Sequence, residues 1–281
     1  MFHVTVCECA HTAFPGMVEI QTPPVDRRRV IGLLPAAGHA TRLGPLPCSK
    51  EIYPISSRTR PDGKETRPKV VSHYLLEKMR RAGITEAFII IREGKWDIPE
   101  HFKDGAIVDM SLGYLLVTVP WGAPYTLDRA YPFVRDDFVA LGFPDILFSA
   151  DDAYERIIAH QARTRADVVL GLFPADRPET MDVVDLEDGG RIARILPKPS
   201  KTSLKHTWGI AVWAPPFTEF LHEYLARLPV PTEKKSELFV GNVIQAGIDS
   251  GLRVEGIHVS DKPFVDIGLP ENLGRVLREG L

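Results

Sequence analysis

The run Pro35-Ala36-Ala37-Gly38-His39-Ala40-Thr41-Arg42-Leu43, with Lys50 a little further on, is where residue types first point to chemistry. Small side chains let backbone N–H groups come close to a phosphate, and fixed cations then offset its charge. Ala and Gly also serve tight strand-to-helix packing, so the loop alone leaves both readings open. A second group, His3, Cys7, Cys9 and His11, offers soft ligands at a spacing that matches no familiar zinc pattern. The alternation in HVTVCEC fits a short edge strand or a loose arm better.

A phosphate loop needs a strand to aim it, and VIGLLPAAG reads as a buried strand ended by a Gly turn. The polar SSRTRPDGKETRPK that follows centres on Pro61-Asp62-Gly63, turn chemistry for a hairpin or projecting loop. VVSHYLLEKMRRAG then sets Val71, Tyr74, Leu75, Met79 and Ala82 at helical spacing, with Gly83 as a stop. AFIIIRE is an apolar strand, which completes a βαβ unit. GYLLVTVP and DFVALGF read as strands, DDAYERIIAHQART as a helix capped by Asp152, and ADVVLGLFP as another buried strand. This order predicts an α/β chain built on a mixed, mainly parallel sheet flanked by helices. Past Pro174, MDVVDLEDGGRIARILPKP forms two alternating segments about Asp188-Gly189-Gly190, a hairpin signal. HTWGIAVWAP is a strand, PPFTEFLHEYLARL a helix whose aromatic stripe is core, and LFVGNVIQAGIDSG a helix. RVEGIHVS and KPFVDIG read as strands and PENLGRVLRE as a closing helix begun by Pro270.

Composition narrows the partners. With 281 residues, 44% hydrophobic and 25% charged, the chain has the makeup of a soluble globular protein. A net charge of −3 supplies no basic face for nucleic acid, although local cations can still meet small anions. Three cysteines in a chain of this size argue against a disulfide framework and for a reducing cytoplasm. No apolar run reaches the roughly 18 residues that span a membrane, and the first residues lack the cationic start and apolar core of a signal peptide.

AAGHATRLGPLPCSKEIYPI resembles the AAGxGTRLxP…SK…PV signature of sugar-1-phosphate nucleotidyltransferases, the glucose-1-phosphate thymidylyltransferase-like family. Later segments fall in the same order: RPKVVSHYLLEKMRRAGI, GRIARILPKP, HTWGIAVWAP, KSELFVGNVIQAGIDSG and FVDIGLPENL. The resemblance covers roughly residues 30 to 281 and leaves residues 1–29 as an arm outside it. It implies the nucleotide-diphospho-sugar transferase fold, Rossmann-like, with a β-hairpin sugar-binding subregion. Residues 30–173 would form the nucleotide-binding half and 174–281 the sugar-phosphate-binding half. It further implies that Arg42 and Lys50 hold a triphosphate, with Ala36, Ala37, Gly38 and Thr41 in the loop around it. Asp145 and Asp266 would be paired Mg2+ carboxylates, and Lys198 would grip the phosphate of a sugar 1-phosphate. Gly122 would lie against the base, and Glu237 and Gly209 would meet the sugar.

This set also makes chemical sense. The reaction joins a phosphate monoester to a nucleoside triphosphate, and repulsion between the two anions is the main obstacle. A monoester's second pKa is about 6, so the attacking oxygen is largely ionised near pH 7 and needs no general base. The protein must supply position and charge neutralisation. An Asp after a strand also serves as a turn cap, and Lys198 between two prolines also fits an exposed hairpin.

The sequence departs from the pattern in places. Ala40 stands at the second glycine of the loop, which matters if that position needs positive φ. The Arg42 to Lys50 stretch is about two residues short, and Asp145 sits in Gly-Phe-Pro-Asp, which leaves Asp151 and Asp152 as lesser metal candidates. No Gln stands where thymidylyltransferase-like members read a pyrimidine; Val117 is near that place. The expected enzyme releases pyrophosphate and a nucleotide sugar, with sugar, base and self-association left open. Its rival is a non-catalytic regulatory protein of the same fold that binds a nucleotide sugar.

Overall fold

A computed structural model describes residues 29–59, 66–118, 121–229 and 238–279. It begins with β1 (Val30–Pro35), the hairpin β2 (Pro54–Thr59) and β3 (Thr66–Val70), α1 (Val71–Arg81) and β4 (Glu86–Arg92). Next come α2 (Asp97–Phe102), β5 (Ser111–Val117), two short helices α3 (Ala123–Asp128) and α4 (Tyr131–Val134), and β6 (Phe138–Gly142). The two-residue strand β7 (Ile146–Leu147), α5 (Ala153–Thr164) and β8 (Val168–Pro174) follow. The remainder is the hairpin β9 (Asp182–Leu186) and β10 (Ile192–Pro197), then β11 (His206–Trp213), α6 (Pro215–Arg227) and α7 (Val240–Asp249). The chain then adds β12 (Val254–His258), β13 (Val265–Asp266) and α8 (Pro270–Glu279).

Nine strands form one mixed, mostly parallel sheet in the order β10-β9-β11-β6-β1-β4-β5, with β8 on β11 and β12 on β8. The strands β6, β1, β4 and β5 are parallel neighbours. Successive residues of a strand point to opposite faces, and both faces here are covered. Leu34 therefore packs with Leu75, Leu76 and Met79 of α1 on one side. Leu33 joins the cluster of Phe217, Leu221, Val243 and Ile244 from α6 and α7 on the other.

β1 lies between β6 and β4, so the chain leaves it toward one side first and returns to the other later. In an open α/β sheet such a switch point opens a crevice at the carboxyl ends of the strands, where ligands bind. Among the described residues no helix is long and apolar enough to cross a membrane.

Most expected elements are present, with two corrections. KPFVDIG contributes only Val265 and Asp266 to a strand, because the Gly268 N–H turns back onto Asp266 Oδ1 at 2.7 Å instead of joining a ladder. Asp152 occupies the cap position of α5 without capping it: its φ of −92° and ψ of 7° are not the extended backbone that lets a cap side chain reach back. Gly189 and Gly190, at φ 86° and 89°, supply the left-handed turn between β9 and β10. The arm with His3, Cys7, Cys9 and His11, the Pro61-Asp62-Gly63 turn and Glu237 lie outside the described residues.

Candidate active site

Ile31 to Leu34 bury as core, and the chain then breaks into the loop at the switch point. Ala36 and Ala37 are buried, their methyl groups packing into opposite faces of the core, while Gly38, Thr41 and Arg42 are exposed. Gly38 takes an ordinary φ with open space around it; the left-handed residue is Ala40, at φ 52° and ψ 30°. An L-residue there carries a cost of about 1–2 kcal/mol, strain of the sort that persists where surroundings hold a functional loop. Ala40 O accepts from Leu43 N at 3.0 Å, closing the turn that carries Arg42.

Lys50 starts a second short turn, Lys50–Ile52. Its neighbour Glu51 is buried against Lys95, whose Nζ lies 2.7 Å from both carboxylate oxygens. Ser72 Oγ donates to Glu51 O at 2.6 Å. Beside this anchor, Lys50 Nζ donates to Asp145 Oδ2.

Asp145 and Asp266 come together through the smallest sheet in the molecule. β13 pairs antiparallel with β7, putting Asp266 opposite Ile146, and Ile267 N donates to Asp145 O at 3.0 Å. The ribbon sits on a small core of Val71, Leu147, Ile267, Leu273 and Val276, two of them from α8. Asn272 of α8 donates to Asp266 O at 2.8 Å. Arg42 Nη2 stands 3.7 Å from Asp266 Oδ2. Burial raises a carboxyl pKa, but the Lys50 ammonium outweighs it and holds Asp145 below the usual range. Asp266 is pushed up by burial and then by the charge of Asp145. Burial would lower Lys50, yet Asp145, Glu51 and Asp266 push it up to about 12.

A cleft of about 990 Å³ runs from this pair to the β9–β10 hairpin and α7, and its lining includes Asp145, Asp266, Lys198 and Gly209. Lys198 is exposed just past the end of β10. Its backbone is left-handed at φ 46°, its N–H donates to Met181 O at 2.9 Å, and its Nζ lies 3.6 Å from the centre of the Phe239 ring. Gly209 interrupts the β11 register, and a Cβ there would stand 3.0 Å from the Phe264 ring, so glycine keeps the cleft floor low. Gly122, at φ 128°, is needed for a different closeness: an added Cβ would lie 2.6 Å from Leu238 O. Asp151 does not line the cleft; it pairs with the buried Lys78 of α1.

Asp182 and Phe239, not singled out by the sequence, also line the cleft. Asp182 stands opposite Pro197 in the hairpin, and burial raises its carboxyl to about 6 against the opposing pull of Lys198. Phe239 seats the Lys198 ammonium, and Trp208 is buried yet borders the cleft. An alternating hairpin pattern marks Asp182 only as polar, so nothing local distinguishes it. Chemically, the site offers two hard carboxylates at one end, cations beside and opposite them, and an apolar floor between.

The model of the nucleotidyl transferase family matches residues 31–279. The low-salt glycan biosynthesis nucleotidyltransferase of Haloferax volcanii is 22% identical over 247 residues, 86% of this chain and 63% of that protein. The glucose-1-phosphate thymidylyltransferase of Streptomyces antibioticus is 25% identical over 230 residues, 80% of this chain and 59% of that one. The chain thus spans about 60% of the length of these relatives. A solved structure from Bacillus anthracis, provisionally assigned as a glucose-1-phosphate thymidylyltransferase and holding a sucrose, superposes with a TM-score of 0.74. It is 19% identical and covers 89% of this chain and 95% of its own, a likeness of fold.

Proposed function

The chain belongs to the nucleotidyl transferase family, and on that premise we propose that it transfers a nucleotidyl group from a nucleoside triphosphate to a sugar 1-phosphate. A monoester oxygen attacks the α-phosphorus, a new P–O bond forms, and the bond to the β-phosphoryl oxygen breaks. The products are a nucleotide sugar and pyrophosphate. The observation that carries this reading is the Asp145–Asp266 pair, held on one two-stranded ribbon with Lys50 on one carboxylate and Arg42 near the other.

Each residue has a task in that reaction. Lys198, braced on Phe239, meets the sugar phosphate as a point charge. Arg42 has the fork geometry for two phosphate oxygens, and Lys50 neutralises charge where the α-phosphate would lie. The loop of Ala36, Ala37, Gly38 and Thr41 brackets the nucleotide in the 30–173 half, with Gly122 at its edge. Gly209 and Glu237 belong to the sugar side. Because the nucleophile is already ionised near pH 7, no side chain need act as its base.

Among the described residues no cluster of three or more His, Cys, Asp or Glu exists that would hold a metal by itself. A pair of carboxylates completed by substrate phosphates and water suits Mg2+, and Asp145 and Asp266 would hold it. When bound, Mg2+ supplies positive charge that steadies the phosphoryl oxygens. The test is a matrix of sugar 1-phosphates against nucleoside triphosphates with Mg2+, read by pyrophosphate release. Release with no pair removes the proposal.

A further inference from the structure

Beyond the cleft, a second hollow of about 790 Å³ lies between residues 44–50 and the loop after β4. It shares no lining residue with the cleft, yet Lys50 lines it while its Nζ ends on Asp145 of the cleft. The cations on its wall are Lys50, Lys95 and Arg92, and the carboxylate is Asp97. Lys95 is committed to Glu51, and Asp97 accepts from Ser49 N at 2.6 Å and Ser49 Oγ at 2.8 Å. Arg92 is different. Its Nη1 donates to Glu93 O at 2.6 Å, its Nε is buried without a partner, and no carboxylate pairs with it among the described residues.

Topology gives Arg92 a meaning. It is the last residue of β4, beside β1 at the switch point, and so stands on the rim where ligands gather. In-line displacement puts the leaving oxygen opposite the attacking one. If the attacking sugar phosphate lies in the cleft toward Lys198, the leaving group departs past Lys50, away from the cleft. Resting on the nucleotidyl-transfer reading, we propose that Arg92 binds the pyrophosphoryl group of the nucleoside triphosphate in this hollow and holds the product pyrophosphate there before release. A guanidinium whose charge no described carboxylate offsets suits that anion, since it can donate to phosphate oxygens.

The test uses the full chain with Mg2+ and inorganic pyrophosphate, measured by calorimetry for the wild type, Arg92→Gln and Arg92→Lys. Losing a charged hydrogen bond should weaken pyrophosphate about ten- to a hundredfold in Arg92→Gln. Arg92→Lys keeps the charge without the fork and should fall between, which serves also if the Gln variant folds poorly. A nucleoside monophosphate and glucose 1-phosphate should bind all three proteins alike. In the reverse reaction, KM for pyrophosphate should rise while KM for the nucleotide sugar stays. Unchanged pyrophosphate affinity in folded variants overturns the assignment, as does equal weakening of the monophosphate. Direct pyrophosphate binding decides the hollow even if no substrate pair turns over, so its failure is distinct from failure of the proposed reaction.

Discussion

Replacing Lys50 by Met removes one end of the ion pair around which the candidate site is built, and the cost follows from how the pair is buried. Breaking a fully buried pair costs about 3–5 kcal/mol, because the remaining charge is left without compensation. The Lys50 and Asp145 side chains are 12% and 17% accessible, so water screens part of that. A loss of about 2–3 kcal/mol is expected for Lys50→Met. Asp145→Asn should cost less, about 1–2 kcal/mol, since Glu51 and Asp266 still face the ammonium. In the double variant neither charge remains, so its cost should fall short of the sum by about 1–2 kcal/mol. Urea unfolding near pH 7.5 measures all three, and pyrophosphate release should be lost in each. Additive costs, or a Lys50→Met loss below about 0.5 kcal/mol, the range of ordinary surface changes, would refute the pairing.

Asp266→Asn keeps the contact with Gly268 but halves the carboxylate pair, and kcat should fall about 10²–10³-fold in the pyrophosphate assay; an unchanged rate would remove Asp266 from the metal site. Lys198→Ala should raise KM for the sugar phosphate about ten- to a hundredfold with a lesser effect on KM for the triphosphate, and equal KM values would dismiss its role. Asp182 makes a prediction about pH: its carboxyl, raised by burial to about 6, binds protons more readily in the folded than in the unfolded chain. Its contribution is therefore fully present below about pH 4 and is lost as pH rises through about 6, a change of about 3 kcal/mol at most. Unfolding free energies of wild type and Asp182→Asn should diverge over that window, with the variant relatively more stable at pH 7.5; parallel curves would dismiss the shift.

What the sequence reveals here depends on how local the responsible physics is. β1, α1 and the β9–β10 hairpin are legible because an apolar run, a helical spacing and a Gly-Gly turn each act within a few residues. Asp145 and Asp266 are legible only through resemblance, since no local pattern tells an Asp that caps a turn from one that meets a distant carboxylate. Their meeting depends on a two-residue ribbon, too short to leave a period-two signature, and on α8 packing beneath it. The short helices α3 and α4 likewise fall below the length at which periodicity speaks.

Ala40, in the loop after β1, and Arg92, at the end of β4, stand where the sequence only partly specifies backbone and neighbours. The concern that position 40 needs a positive φ is met by the structure, which places Ala there in the left-handed region instead of avoiding it. A chain that tolerates such strain in this loop must hold the loop from elsewhere, and the buried Ala36 and Ala37 before it and the Arg42 turn after it do so. Arg92 ends β4, a strand legible as an apolar run, and the carboxyl ends of such strands are where an open α/β sheet places its ligands. β1 lies between β4 and β6, so the carboxyl ends of these strands meet at the switch point. That neighbour relation is a property of the whole sheet, and no single strand's sequence carries it.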